Sequence, residues 1–252
     1  MRVIDLIRGE KPCLSFEVFP PKTSANYQSI QEATEKIAAL GPDFISVTYG
    51  AGGGTSDYTV SISAHLQEKY HVPILAHLSC INSSHEGVKK QLDAMRAAGI
   101  ENVLALRGGV AADRPPDGSW YYHYASELIR EMKSYGGFCI GGACYPESHP
   151  ESKNQVEDIA HLREKVDAGC EFLTTQMFFD NNIYYNFLYK VREAGITVPI
   201  VAGIMPVTNV KQIKRIVELS GTALPQRFRY LLDRFGSTPA AMKQAVSLFF
   251  IM

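Results

Sequence analysis

The sequence has almost no net charge, no long apolar run and no paired cysteines, and each absence removes a class of function. Its 25 basic residues against 26 acidic ones leave a formal net charge of −1, so no basic field marks nucleic acid or anionic lipid as a partner. A small-molecule ligand is the better expectation. No stretch approaches the roughly 18 apolar residues of a membrane span, and the opening MRVIDLIRGEKP has no continuous apolar signal region. A cytoplasmic protein is expected. The five cysteines, Cys13, Cys80, Cys139, Cys144 and Cys170, are odd in number and lack CxxC spacing. Most sit in apolar runs, where a reduced thiol packs as a small hydrophobe. Metal is not expected, because HExxH is missing and His85 and Glu86 are merely adjacent. With no linker or low-complexity segment, residues 1–252 are read as one domain, a size that α/β barrels routinely occupy.

What the chain does contain is a repeated short apolar run. CLSFEVF from Cys13, DFISVTYG from Asp43, PILAHLSC from Pro73, ENVLALR from Glu101, FCIGGACY from Phe138, EFLTTQM from Glu171 and VPIVAGIM from Val198 each read as a buried strand. They start 27 to 37 residues apart, room for one helix and two loops, which is the βα unit. Helical periodicity fills three of the gaps. Ile30, Ala33, Ile37 and Leu40 form one stripe, Val88, Leu92 and Met95 a second, and Ile159, Leu162 and Val166 a third. AAG before Ile100 and EAG before Ile196 place glycine where a left-handed cap ends a helix. Periodicity alone leaves a closed barrel and an open doubly wound sheet both standing. Polar residues decide for the barrel: Glu17, Thr48, His77, Arg107, Tyr145 and Gln176 fall at or near the carboxyl ends of different strands, whereas an open sheet would gather ligand contacts at one switch point.

Several of these residues carry two readings. Glu17, flanked by Phe16, Val18 and Phe19, is either a desolvated acid suited to proton donation or a structural carboxylate paired with a nearby cation. His77 is a ligand or a satisfied histidine at the edge of the core. The loop YGAGGGT, Tyr49 to Thr55, does not fit GxGxxG and is either a phosphate cradle or a tight turn. In YPESHPES, Tyr145 to Ser152, two prolines hold Tyr145, Glu147 and His149 in defined directions. Asp158 and Lys165, seven residues apart on a helix, ordinarily read as solvent-facing charges. Gln176, an amide among aromatics, needs partners that a heterocycle can supply. The polar loop Gly108 to Trp120 reads as a binding loop or lid.

Nine segments, SFEVFPPKT, SVTYGAGG, AHLSC, LALRG, YASELI, CYPESHPES, KVDAG, TTQMFFD and GIMPVTN, stand in the order and spacing of the methylenetetrahydrofolate reductases, from about Val3 to about Ala245. The chain resembles that family. The resemblance implies a (β/α)8 barrel that binds FAD at the strand carboxyl ends. NAD(P)H reduces the flavin and leaves, and 5,10-methylenetetrahydrofolate then takes the hydride to become 5-methyltetrahydrofolate. It makes Glu17 the general acid and Gln176 the pterin-binding residue. Thr48, His77, Arg107, Gly108, Tyr124, Tyr145, His149, Asp158 and Lys165 match FAD contacts, with Arg107, His149, Asp158 and Lys165 toward the ribityl, phosphate and adenosine end. A homo-oligomer is expected, and the donor is NADH, NADPH or an electron-transfer subunit.

The chain departs from the family twice. The family's LALRGD is here LALRGG, with Gly109 where a carboxylate is expected near flavin and pterin, and Asp113 or Asp117 as the nearby acids. Only seven strand candidates precede Met252, so an eighth strand is expected to be missing, which would leave two strand edges to be covered. These departures motivate a rival reading, a non-catalytic flavin-binding subunit or remnant of the same fold. A barrel enzyme acting on a phosphorylated substrate without flavin is a second rival.

Overall fold

Each of the seven apolar runs forms a strand. In the computed structural model, which describes residues 1–21, 27–49, 56–109, 121–207, 209–236 and 238–251, these are β1 Ser15–Val18, β2 Phe44–Val47, β3 Ile74–Ser79, β4 Asn102–Leu106, β5 Cys139–Cys144, β6 Phe172–Thr175 and β7 Ile200–Val201. Helices α1 Val3–Ile7, α2 Tyr27–Ala38, α3 Ser56–Tyr70, α4 His85–Ala97, α5 Ala125–Tyr135, α6 Gln155–Asp167 and α7 Asn181–Glu193 precede or separate them. Three more, α8 Val210–Ser220, α9 Gln226–Phe235 and α10 Pro239–Ile251, follow β7. The strands are parallel and lie in chain order, β1 to β7, the α/β architecture of the TIM-barrel type. Among the described residues no eighth strand follows β7. The chain divides into two compact units, Met1–Ala143 with Glu164–Leu173, and Cys144–Arg163 with Thr174–Met252.

In the first unit the pairing register sorts side chains onto two faces. Glu17 pairs with Ser46, Ser46 with Leu75, His77 with Leu104 and Leu104 with Gly141. Paired residues share a face and alternate residues change it, so Glu17, Ser46, Thr48, His77 and Leu104 lie on one side. The opposite side is aliphatic, with Val18, Ile45, Val47, Ile74, Ala76, Leu78, Val103, Ala105 and Ile140 all buried, and α3 and α5 pack on these strands. Gly141 is small because a Cβ there would stand 2.5 Å from the Phe172 ring. Lower in the sheet, Asn102 accepts the Val3 N–H at 2.7 Å and donates to the carbonyls of Met1 (3.2 Å) and Ile74 (3.1 Å). Arg2 reaches Glu171 at 2.6 Å. These bonds hold α1, with Val3 and Ile4 buried, at the amino end of the strands.

The caps and the α4 stripe form as expected, and the α6 stripe forms in part, since Val166 is only half-buried. Gly99 and Gly195 take φ of 71° and 76°, the left-handed region that glycine enters without steric cost. Val88, Leu92 and Met95 are buried on α4, as are Ile159 and Leu162 on α6. The stripe on α2 differs. Its buried positions are Thr34 and Ala38, while Leu40 lies past the helix end and is 71% exposed. Thr34 can be buried because its hydroxyl donates to the Ile30 carbonyl at 2.7 Å. Polar contacts tie α2 to α3: Glu35, which also accepts from Gln31 of its own helix (3.2 Å), accepts from Lys69 (2.7 Å) and meets His65 at 2.8 Å.

The second unit has its own apolar core. Met177, Phe179, Val207, Ile213, Phe228, Leu232, Met242 and Val246 form it, with the Phe179 and Phe228 rings stacked at 4.9 Å. Asp180 caps α7 by accepting the Asn182 N–H, and Asn209 caps α8 by accepting those of Lys211 and Gln212. Gly221, at φ 70°, ends α8.

Candidate active site

Glu17 occupies the third of four positions in β1, and its neighbours in sequence do not make its environment. Phe16 and Val18 point to the opposite face, and Phe19 is 66% exposed. The relevant neighbour comes from β3. His77 Nε2 stands 3.7 Å from Glu17 Oε2, too far for a hydrogen bond. The Glu17 side chain is 46% exposed and the His77 side chain 6%. Protein nonetheless surrounds the Glu17 carboxyl closely enough that desolvation raises its pKa. Burial lowers His77 to about 4. The two shifts agree. Near neutral pH His77 is uncharged, so the Glu17 carboxyl faces a neutral imidazole and the two do not form an ion pair. His77 Nε2 is buried and has no hydrogen-bond partner among the described residues. Among the described residues no cation holds the Glu17 carboxylate, and the cause that raises its pKa there is desolvation.

The other expected residues of the first unit sit at strand ends. Thr48 directly follows β2, donates its N–H to the Val18 carbonyl at 3.0 Å and accepts the Thr59 hydroxyl at 2.9 Å. Arg107 follows β4 and is half-buried; its carbonyl accepts the Ile81 N–H at 2.8 Å. Gly108 has φ 83°, and a Cβ there would lie 2.9 Å from that of Ser79, so backbone and neighbour both require glycine. Gly109 is different: a Cβ there would meet nothing within 4 Å, and its carbonyl accepts from Asn82 at 2.8 Å. Tyr124, just before α5, is 51% exposed. The Glu127 carboxylate fixes its backbone, accepting the N–H groups of His123 (2.6 Å) and Tyr124 (3.1 Å). Lys165 is half-buried and donates to the Ala143 carbonyl at the end of β5 at 2.9 Å.

In the second unit, Tyr145 and His149 meet edge to face at 4.7 Å, and His149 Nδ1 accepts the Glu151 N–H at 3.1 Å. Asp158 is 6% exposed. One of its oxygens accepts the Ser152 hydroxyl at 3.0 Å, and Oδ2 is buried without a partner among the described residues. Gln176 follows β6 and donates its N–H to the Cys144 carbonyl at 2.7 Å. Its Oε1 accepts the Met177 N–H at 2.9 Å, so the amide NH2 is the group it can present. Neither Asp158 nor Lys165 is the solvent-facing charge that helical spacing ordinarily suggests. Within YGAGGGT, residues 50–55 lie outside the described residues. The same holds for residues 110–120 of the Gly108 to Trp120 loop, with Asp113 and Asp117.

Sequence reasoning missed one cluster. Tyr122, 1% exposed, donates to Glu131 at 2.6 Å, and His85 Nδ1 meets the same carboxylate oxygen at 2.7 Å. Burial, reinforced by Glu131, pushes the Tyr122 phenol up. No periodicity or motif signals it, because the three residues come from separate segments.

Parallel strands in chain order, an aliphatic face against helices and polar residues at strand carboxyl ends define an α/β enzyme of the TIM-barrel type. The methylenetetrahydrofolate reductase family model matches residues 2–251, and the chain belongs to that family. It is 36% identical to the 5,10-methylenetetrahydrofolate reductase of Pectobacterium carotovorum subsp. carotovorum, over 91% of this chain and 76% of that one. It is 34% identical to methylenetetrahydrofolate reductase (NADH) 1 of Arabidopsis thaliana, over 96% of this chain but 44% of the plant protein. Among solved structures, an uncharacterized Clostridium thermocellum protein that binds two copies of 5-methyl-5,6,7,8-tetrahydrofolic acid superposes with a TM-score of 0.68. That match covers 98% of this chain and 85% of the other, at 16% identity. At that identity the likeness concerns the fold.

Proposed function

We propose that this protein is a flavoprotein that reduces 5,10-methylenetetrahydrofolate to 5-methyltetrahydrofolate, with FAD as cofactor and NADH as the preferred donor. The observation that carries the reading is Glu17, a carboxyl raised by desolvation beside a neutral, buried His77. A carboxyl whose pKa is raised is better suited to donate the proton that opening the imidazolidine ring requires. The donor follows the name of the Arabidopsis relative.

The residues present suit FAD. His77 Nε2 and Asp158 Oδ2 are buried polar atoms without partners among the described residues, and such atoms are costly unless a ligand satisfies them. The family resemblance assigns Thr48, Arg107, Gly108, Tyr124, Tyr145, His149, Asp158 and Lys165 to the cofactor. Asp158 suits a ribose hydroxyl, and Arg107 and Lys165 suit the phosphates. Bound there, FAD supplies the redox step, passing a hydride from the nicotinamide to the folate one-carbon bridge. Glu17 gives its proton to a ring nitrogen of the substrate, the carbon–nitrogen bond opens, and a reactive iminium carbon remains to be reduced. Gln176 orients the pterin through its amide NH2.

The test is an absorption spectrum of the purified protein, followed by anaerobic addition of NADH and then methylenetetrahydrofolate. Bleaching of a flavin spectrum by NADH and its return with folate is expected. Gly109 favours the other reading, a flavin-binding protein without folate reduction, and bleaching with no return would establish it. A colourless protein that takes up no FAD would overturn both.

A further inference from the structure

Glu147 lies in the second unit, on the loop that follows β5, and the flavin and folate roles above leave it unused. Its Oε2 accepts the Ala223 N–H at 2.8 Å. Its Oε1 is buried and has no hydrogen-bond partner among the described residues. A small cavity opens beside it, bordered by Tyr145, Glu147, Gln176, Ser220 and Thr222. It offers about 10 Å³ to the centre of a water molecule, the least room in which one water fits.

Several of the polar groups around this cavity, which Pro146, Ser148 and Met177 also border, already have partners. The Ser220 hydroxyl donates to Thr222 Oγ1 at 3.0 Å, and the Thr222 hydroxyl donates to the Met177 carbonyl at 3.2 Å. Both hydroxyl protons are thus committed. Gln176 Oε1 is committed to the Met177 N–H, and since a backbone N–H can only donate, the amide orientation is settled. The cavity is thus bordered by the Gln176 amide NH2, a donor, and by a carboxylate oxygen of Glu147 that lacks a donor among the described residues. One water satisfies both, accepting from Gln176 Nε2 and donating to Glu147 Oε1.

We propose that Glu147 is a positioning residue for Gln176, acting through one water bound in this cavity, and that it thereby sets how the amide meets the pterin. The proposal rests on the reading of Gln176 as the pterin-binding residue. Burial raises the Glu147 pKa, with Asp180 adding to the effect and the Ala223 N–H opposing it. A carboxylate so placed is costly without a second donor. The same side chain also holds Ala223, so the α8–α9 connection is fixed together with the amide.

The experiment combines a crystal structure of the protein with FAD and steady-state kinetics of E147A, E147Q, Q176A and E147A/Q176A. An ordered water within hydrogen-bond distance of both Glu147 Oε1 and Gln176 Nε2 is expected. E147A should raise KM for methylenetetrahydrofolate about three- to tenfold, the worth of one buried hydrogen bond, and by more than it lowers kcat. E147Q, which keeps an acceptor oxygen, should recover part of the loss. The double variant should be little worse than Q176A alone, because both changes break one chain. No water in the cavity, or effects of E147A and Q176A that simply multiply, would overturn the proposal. If E147A does not fold, E147Q and the water position decide. If Q176A leaves folate KM unchanged, the pterin role of Gln176 falls, and the water still shows whether Glu147 and Gln176 are linked.

Discussion

Glu17 shows how one residue draws its chemistry from tertiary neighbours. Its flanking aromatics suggest a desolvated acid, yet strand alternation sends Phe16 to the far face, Phe19 is exposed, and His77 from β3 stands on its own side. The raised pKa and its cause, desolvation, are legible from the sequence, but not which neighbours surround the carboxyl. Glu17→Gln keeps the size of the side chain and cannot deliver a proton. In stopped-flow measurements the variant should still be reduced by NADH, while reoxidation by methylenetetrahydrofolate slows about a hundred- to ten-thousand-fold. Comparable losses in both half-reactions would mean a structural role. Gly109 permits the opposite change. Open space surrounds its Cβ position, so Gly109→Asp should leave the melting temperature within the range of ordinary surface substitutions. It should speed the folate half-reaction about tenfold if a carboxylate there steadies the developing cation. An unaltered rate would show that another group already supplies that charge.

Among the elements, α2 is bound to α3 by charge and hydrogen bonding more than by an apolar stripe. Lys69 and His65 hold the Glu35 carboxyl down to about 2, against an ordinary value of 4.5. A depressed carboxylate pKa stabilises the fold above the unfolded value and loses that contribution as pH falls through the folded one. The effect should therefore be complete above pH 4.5 and fade toward pH 2. Melting temperatures of wild type and Glu35→Gln should differ near neutrality and converge between pH 4.5 and 2. Parallel curves across that range would remove Glu35 from the acid response. The network joins residues 30 to 35 positions apart, so hydrophobic periodicity could not reveal it, whereas the caps at Gly99 and Gly195 were legible because a left-handed turn depends on local backbone alone.

At the scale of the molecule, α1 is fastened under the sheet by Asn102, which makes three hydrogen bonds with residues 1, 3 and 74. Asn102→Ala would remove the partner of the buried Val3 N–H and Ile74 carbonyl, at a cost of about 1–3 kcal/mol each before relaxation. The midpoint of urea unfolding should fall clearly, and exchange of the Val3 amide should quicken; a midpoint within error of wild type would show that α1 contributes nothing to the sheet. His149→Ala with Lys165→Ala should weaken FAD retention while the far-UV spectrum persists, and unchanged retention would remove both from the cofactor site. The seven strands, their order and the helices between them follow from the sequence itself, because a buried parallel strand needs an unbroken apolar run and its crossover needs a helix of fixed minimum length. The nine segments likewise sufficed for the family. Only the tertiary structure decided which face Glu17 shares, that Asp158 is buried rather than solvated, and that Glu147 and Gln176 border one cavity. Those properties depend on register and on side chains brought together from distant parts of the chain, and a linear pattern carries no record of either.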